Sequence, residues 1–289
     1  MTTSFRVWLI VVICSFMVLL FTAGKQVKHS QLSDIYTLPT PIWSGPVPSF
    51  CVIVRTTHKH KVSLWALMMS LLVNRPPRLA VYVVNTDKGG AFPELRQMVQ
   101  HANRLTGIKI FHDMAPIVNN SAAQQALGPG FNVTSLQDFG YVLTDLVMEH
   151  ILKDRACEFM LVTNGDNLYG SDFFRAVVPP IQQGHNLVAV HFVTHHPRDG
   201  SRSIRTCGPY RAGTDMEIET GFEIGCVDLG AAVFATNIVE RLNIRFALNA
   251  LRQNPQAGLF AADGITFMEM VKDINTRATV VHRVLMLHQ

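Results

Sequence analysis

The chain is poor in charge. Asp, Glu, Lys and Arg make up 16% of its 289 residues, against about 25% in an average globular protein. The net charge of +4 is not gathered into a basic run. That removes the electrostatic footprint of a nucleic-acid binder, and no nucleic-acid partner is expected. Five cysteines are present without a CxxC pair, so a zinc knuckle is unsupported. After the first apolar segment no second run of comparable length follows, which leaves a single span as the simplest membrane topology.

That first segment is "VWLIVVICSFMVLLFTA", residues 7–23. It carries no charge and is flanked by Arg6 on one side and by Lys25 and Lys28 on the other. It is apolar on every face, which argues against a buried soluble helix. It reads as an uncleaved transmembrane signal-anchor; a cleaved secretory signal is the alternative, because the small residues of Thr22 to Gly24 follow it. The expected organisation is a short cytosolic tail (1–6), the anchor (7–23), a stem (24–48) and a body (49–289). The stem is polar and holds Pro39, Pro41, Pro46 and Pro48. The expected topology is type II, in a Golgi or ER membrane with the body lumenal. Two sequons, at Asn119 and Asn132, agree with that placement. In an oxidising lumen Cys207 could bridge to Cys226; the alternative leaves Cys51, Cys157, Cys207 and Cys226 all as buried thiols.

The body alternates short Val/Ile-rich runs with segments of helical periodicity. "FCVIVRT" (50–56), "LAVYVVNTD" (79–87), "GIKIFHD" (107–113), "FMLVT" (159–163), "NLVAVHFVT" (186–194), "VDLGAAVFA" (227–235) and "ATVVHRVLML" (278–287) read as strands. Helices are expected over 61–74, 92–105, 139–154, 171–183 with Ser171 as cap, 238–247 and 264–274. Residues 114–136 read as loose, and a polar loop is expected over 195–219. The order is that of an α/β domain with a mixed, mostly parallel sheet flanked by helices. Such sheets bind ligands beyond the carboxyl ends of their strands. Thr56, Asp87 and Asn164 to Asp166 therefore share one rim.

At that rim "FMLVTNGDNLYGSDFF" (159–174) runs a buried strand into a turn dense in oxygen ligands. Taken alone, Asn-Gly-Asp is a common turn. The same residues suit a hard cation: a carboxylate from Asp166, a carbonyl oxygen from Asn164, and no side chain at Gly165 to block a diphosphate. In form and position the stretch resembles the Asp-x-Asp motif of the GT-A class of nucleotide-sugar glycosyltransferases, with Asn164 replacing the first Asp. "SFCVIVRTTHKHKVSLWALMMSLL" (49–72) resembles the first strand and helix of that Rossmann-type fold.

The resemblance implies the following roles. Thr56 and Asp87 would lie near base and ribose, with Asp145 and, one turn earlier, Tyr141. Asp166 would hold Mn²⁺ or Mg²⁺ on the diphosphate, Asn164 would face the ribose or the metal, and a late histidine, His288 in preference to His282, would complete the metal shell. Asp263, at the start of a late helix, would be the general base of an inverting enzyme. Asp228 would orient the acceptor-side loop or serve as a rival base, as would Glu219 and Glu223. A nucleotide-diphosphate sugar, favoured as a UDP-sugar, would be the donor, and a glycan, protein or lipid hydroxyl the acceptor.

Each residue also has a purely structural alternative: caps for Thr56, Asp87 and Asp263, and an ordinary helix face for Tyr141 and Asp145. His195, His196 and Arg198, Arg202, Arg205 and Arg211 read as a phosphate clamp or a solvated loop. His58 and His60 read as surface residues. Two rival functions remain. A sugar-nucleotide nucleotidyltransferase is disfavoured because "RTTHKHK" has no glycine. A non-catalytic lumenal binding protein on a decayed transferase fold has Asn164 as its best support.

Overall fold

The computed structural model describes residues 43, 45–87, 92–132, 140–194, 216–253, 259 and 262–288. The expected anchor and nearly all of the stem lie outside them. Among the described residues no helix is long and apolar enough to cross a membrane.

The chain enters at β1 (Phe50–Thr56), all seven residues of which are buried. A 3-10 turn (His58–His60) leads into α1 (Lys61–Asn74), and then come β2 (Leu79–Asn85), α2 (Glu94–Thr106) and β3 (Phe111–Asp113). Next are α3 (Asn120–Leu127), α4 (Tyr141–Asp154), β4 (Phe159–Asn164) and the two-residue β5 (Leu168–Tyr169). The second half holds α5 (Phe173–Gln182), β6 (Leu187–Thr194), β7 (Met216–Ile218) and β8 (Ala232–Ala235). It ends with α6 (Thr236–Leu242), α7 (Leu248–Gln253), α8 (Ala262–Lys272) and β9 (Ala278–His288).

The strands form one mixed sheet in the order β3-β2-β1-β4-β8-β6-β9-β5, with β7 added on β6. β3, β2, β1 and β4 run parallel. β8 lies antiparallel between β4 and β6, and β9 returns parallel to β6. A strand covered by helices on both faces needs apolar side chains on both, which is why β1 and β4 read as unbroken apolar runs. Register places Thr56 beside Asn85 and Arg55 beside Asn164. The strand ends therefore meet at one edge, as the alternating pattern predicts.

Several local expectations are corrected. Residues 120–127 are helical, because the Asn119 side chain accepts from the Ser121 and Ala122 amides and caps the first turn. The sequon asparagine is thus engaged in a cap. The expected helix over 238–247 stops at Leu242, where Asn243 takes a left-handed conformation at φ 50°, and a separate helix follows only from Leu248. Ser171 does not cap α5. Asp172 stands at its cap position, and the Phe173 amide is satisfied by Asn74 Oδ1 at 3.1 Å.

Cys51 and Cys157 are bridged, tying β1 to the entry of β4. This overturns the reading of all body cysteines as thiols. Cys226 is disulfide-bonded as well, and Cys207 lies outside the described residues.

Candidate active site at the strand-end rim

The site is built outward from the Asn164–Asn167 turn. The Gly165 amide donates to Arg55 O at 2.7 Å, so the turn is stitched to the end of β1. A Cβ on Gly165 would stand 2.5 Å from Thr56 Oγ1 and 2.9 Å from Thr56 Cβ. Glycine is needed here to admit β1 against β4. Thr56 is correspondingly covered, with 0% of its surface exposed. Its carbonyl accepts from the Thr86 amide at 2.7 Å and from Thr86 Oγ1 at 3.1 Å.

Arg55 is the residue the pattern missed. A charged side chain in an apolar strand is the signal, and the structure shows its use. Its guanidinium donates to Asn164 Oδ1 at 2.6 Å and lies 4.6 Å over the Tyr141 ring. Tyr141 is buried, and the phenol is pushed up to about 12, chiefly by burial, with the Arg55 charge acting the other way. An aspartate at 164 would add a charge that Arg55 could match; the asparagine instead accepts a single charge-assisted bond.

Asp145 is fully buried. Its carboxylate accepts from the Phe246, Ala247 and Leu248 amides at 2.7, 2.8 and 2.9 Å. It holds the segment that enters α7, and burial raises it to about 6 against the pull of those three amides. The half-buried Asp87 donates its amide to Asn85 Oδ1 at 3.0 Å. A pocket of about 450 Å³ opens next to that strand end, lined by Asn85, Phe92, Pro93, Arg96 and Asp113 among others.

The other side of the rim gathers Asp228, His288 and Asp263. Asp228 Oδ1 accepts from the Gly230 amide at 2.8 Å, and its Oδ2 stands 3.6 Å from His288 Nε2. His288 Nδ1 lies 3.2 Å from Thr194 Oγ1. The turn holding Gly230 sits on the motif itself: a Cβ there would come within 2.8 Å of Asn167 Nδ2 and 3.0 Å of Thr163 Oγ1. Asp263 belongs to the first turn of α8. Its carboxyl is pushed up to about 6, first by burial and then by the Asp228 charge, while Arg55 opposes. These couplings place Asp263, Asp228, Arg55 and Tyr141 in one electrostatic neighbourhood. The rival carboxylates Glu219 and Glu223 are exposed. His195, His196 and the four loop arginines lie outside the described residues.

Among the described residues no group of three or more His, Cys, Asp or Glu side chains is gathered to hold a metal ion. A cation that also binds substrate phosphates needs only one or two protein groups. Asp166 fits that use. Its Oδ1 is inaccessible and has no hydrogen-bond partner, while Oδ2 stands 3.4 Å from His60 Nε2. His60 was read from the sequence as a surface residue, and nothing in "THKH" announces the pairing.

No family model matches the chain, and no curated protein does either. Solved structures do. S. aureus TarS residues 1–349 superposes with a TM-score of 0.52 at 15% identity, over 83% of this chain and 60% of that one. A longer form of TarS gives 0.52 at 15% identity, over 83% and 36%. TarS 1–349 in complex with UDP gives 0.51 at 15% identity, over 83% and 60%. The chain thus spans less than two thirds of the length of these structures. At such identity the likeness is one of fold, and the GT-A-like architecture implied by the motif stands at that level.

Proposed function

We propose that the chain transfers a sugar from a UDP-sugar to an acceptor hydroxyl, with inversion. The observation that carries this reading is the coupled set at the rim. Arg55 binds the variant motif at Asn164, packs on Tyr141, and lies within electrostatic reach of Asp263, whose carboxyl is raised to about 6. A carboxylate with that value is ionised near neutral pH yet basic enough to accept a proton, as a general base requires. Support for the donor comes from the fold shared with TarS, which has been crystallised with UDP, and from the pocket at the ends of β2 and β3.

In this reading the acceptor oxygen attacks the anomeric carbon, its proton passes to Asp263, and UDP departs with the bond electrons. Asp228 raises the basicity of Asp263 and shapes the turn under it. Asn164 presents its amide fixed by Arg55. Asp166, with its unpartnered oxygen, is the residue that would hold Mn²⁺ or Mg²⁺. The ion would supply positive charge for the leaving diphosphate. The apolar segment 7–23 would anchor the protein with the body lumenal.

A thermal-shift panel of UDP-sugars with Mn²⁺ tests the donor, since a ligand that binds only the native state raises the melting temperature. UDP release in the presence of that sugar tests the chemistry. Absence of any metal-linked UDP shift would sink the reading in favour of a non-catalytic protein.

A further inference from the structure

Resting on that reading, we infer that His60, and not His288, supplies the nitrogen ligand to the divalent cation held by Asp166. Four observations converge. First, His60 is held in place by its backbone. Its amide donates to Thr57 O at 3.0 Å, and its carbonyl accepts from Ser63 Oγ at 3.1 Å. Second, its Nε2 stands 3.4 Å from Asp166 Oδ2, long for a hydrogen bond. Ligand atoms at right angles about an ion with bonds of about 2.1 Å lie about 3 Å apart, so the pair is close to a shared-cation spacing.

Third, the other oxygen of the same carboxylate, Asp166 Oδ1, is inaccessible and has no hydrogen-bond partner. Buried polar atoms without partners are rare, and a carboxylate oxygen left so points to a missing ligand. The side chains are 30% and 22% exposed, so the contact is still reachable from solvent. Fourth, the alternatives are engaged. His288 faces Thr194 through one nitrogen and Asp228 through the other, and the Asn164 oxygen is held by Arg55.

A nitrogen beside one carboxylate alters the ion preferred. Mg²⁺ favours oxygen ligands, whereas imidazole suits transition metals; Mn²⁺ accepts both. The asparagine of the motif is thereby offset by a histidine from the turn after β1.

The test is pulsed EPR on the purified full chain with UDP and Mn²⁺. The nitrogen modulation of a directly bonded imidazole is expected in the wild type, lost in His60→Ala and retained in His288→Ala. Titration of Mn²⁺ in the presence of UDP is expected to show about tenfold or more weaker binding for His60→Ala, the scale at which supporting contacts of metal sites act. Circular dichroism of both variants checks that they fold. Modulation that survives His60→Ala, or that disappears only in His288→Ala, overturns the assignment and leaves the transferase reading intact. A wild type that binds no Mn²⁺ with UDP overturns both.

Discussion

The two halves of the sheet use their polar residues differently. Along β3-β2-β1-β4 the polar groups at the strand ends are mostly bound to protein. Arg55 holds Asn164, Gly165 is pressed on Thr56, and Asp145 behind them holds three amides. Along β8-β6-β9 the carboxylates are set against one another. Asp228 lifts Asp263, and His288 faces Asp228. The first half is a scaffold that leaves Asp166 Oδ1 without a partner. The second half keeps a proton acceptor in an unfavourable charge environment, a cost to stability that suits chemistry.

The largest effect that separates them is expected from Asp263→Asn. Loss of a general base lowers turnover by about 10²–10⁴-fold. Because burial raises the native carboxyl to about 6 from its ordinary value of 3.8 in the unfolded chain, the ionised form destabilises the fold at neutral pH. Asp263→Asn should therefore raise the melting temperature at pH 7.5 while UDP binding persists. Turnover assays and calorimetry check both halves of this. A variant that loses UDP binding in step with turnover would move Asp263 to the donor side.

This contrast also explains what the sequence disclosed. Parallel strands buried on both faces announce themselves as apolar runs, so β1, β2, β4 and β6 were legible, and with them the shared rim. The motif at Asn164 to Asp166 was legible for the same reason, being the polar end of such a run. β5 and β7, of two and three residues, were not, because they are short and pair with β9 and β6 far along the chain. Nor was the use of Asp145, whose three amide partners lie about a hundred residues away. Long-range contacts such as His60 with Asp166, and the Cys51–Cys157 bridge, leave no periodic trace.

The scaffold half yields the next largest effects, and they fall on stability. Asp145→Ala leaves three buried amides without an acceptor. Even after the relief of a buried charge, a loss of roughly 4 kcal/mol is expected, read by urea unfolding. Cys51→Ser opens a bridge between residues 106 apart in sequence and should cost about 3 kcal/mol. If either variant instead lost turnover at full stability, the division between scaffold and reactive half would fail.

Gly165→Ala distinguishes two reasons for the same glycine. The added Cβ meets Thr56, so about 2 kcal/mol of destabilisation is expected. Thr56→Ala removes the nearer of the two contacts and should restore part of the loss. Were the glycine kept for the diphosphate instead, UDP affinity would fall with stability unchanged and Thr56→Ala would restore nothing.

The smallest expected effect lies on the reactive half, away from the rim, where His191 of β6 meets His282 of β9. The Thr220 amide donates to His191 Nδ1 at 3.0 Å. That nitrogen is therefore bare, and the neutral ring carries its proton on Nε2, 3.2 Å from His282 Nδ1. A proton added to His191 would oppose the Thr220 amide. Burial lowers the His191 pKa and His282 adds to the shift, while Glu219 and Glu217 oppose it. With the folded value below the unfolded 6.5, the unfolded chain takes up the proton first. Stability is then complete above pH 6.5 and declines as pH falls below it. Asp263 acts with the opposite sign below about 6, and His112, also lowered by burial, acts with the same sign. The difference between wild type and His191→Asn removes both, because an asparagine oxygen can still accept from Thr220. Between pH 7.5 and 6 the wild type should lose about 2 °C more than the variant. Equal slopes would show that His191 takes its proton without disturbing the Thr220 contact.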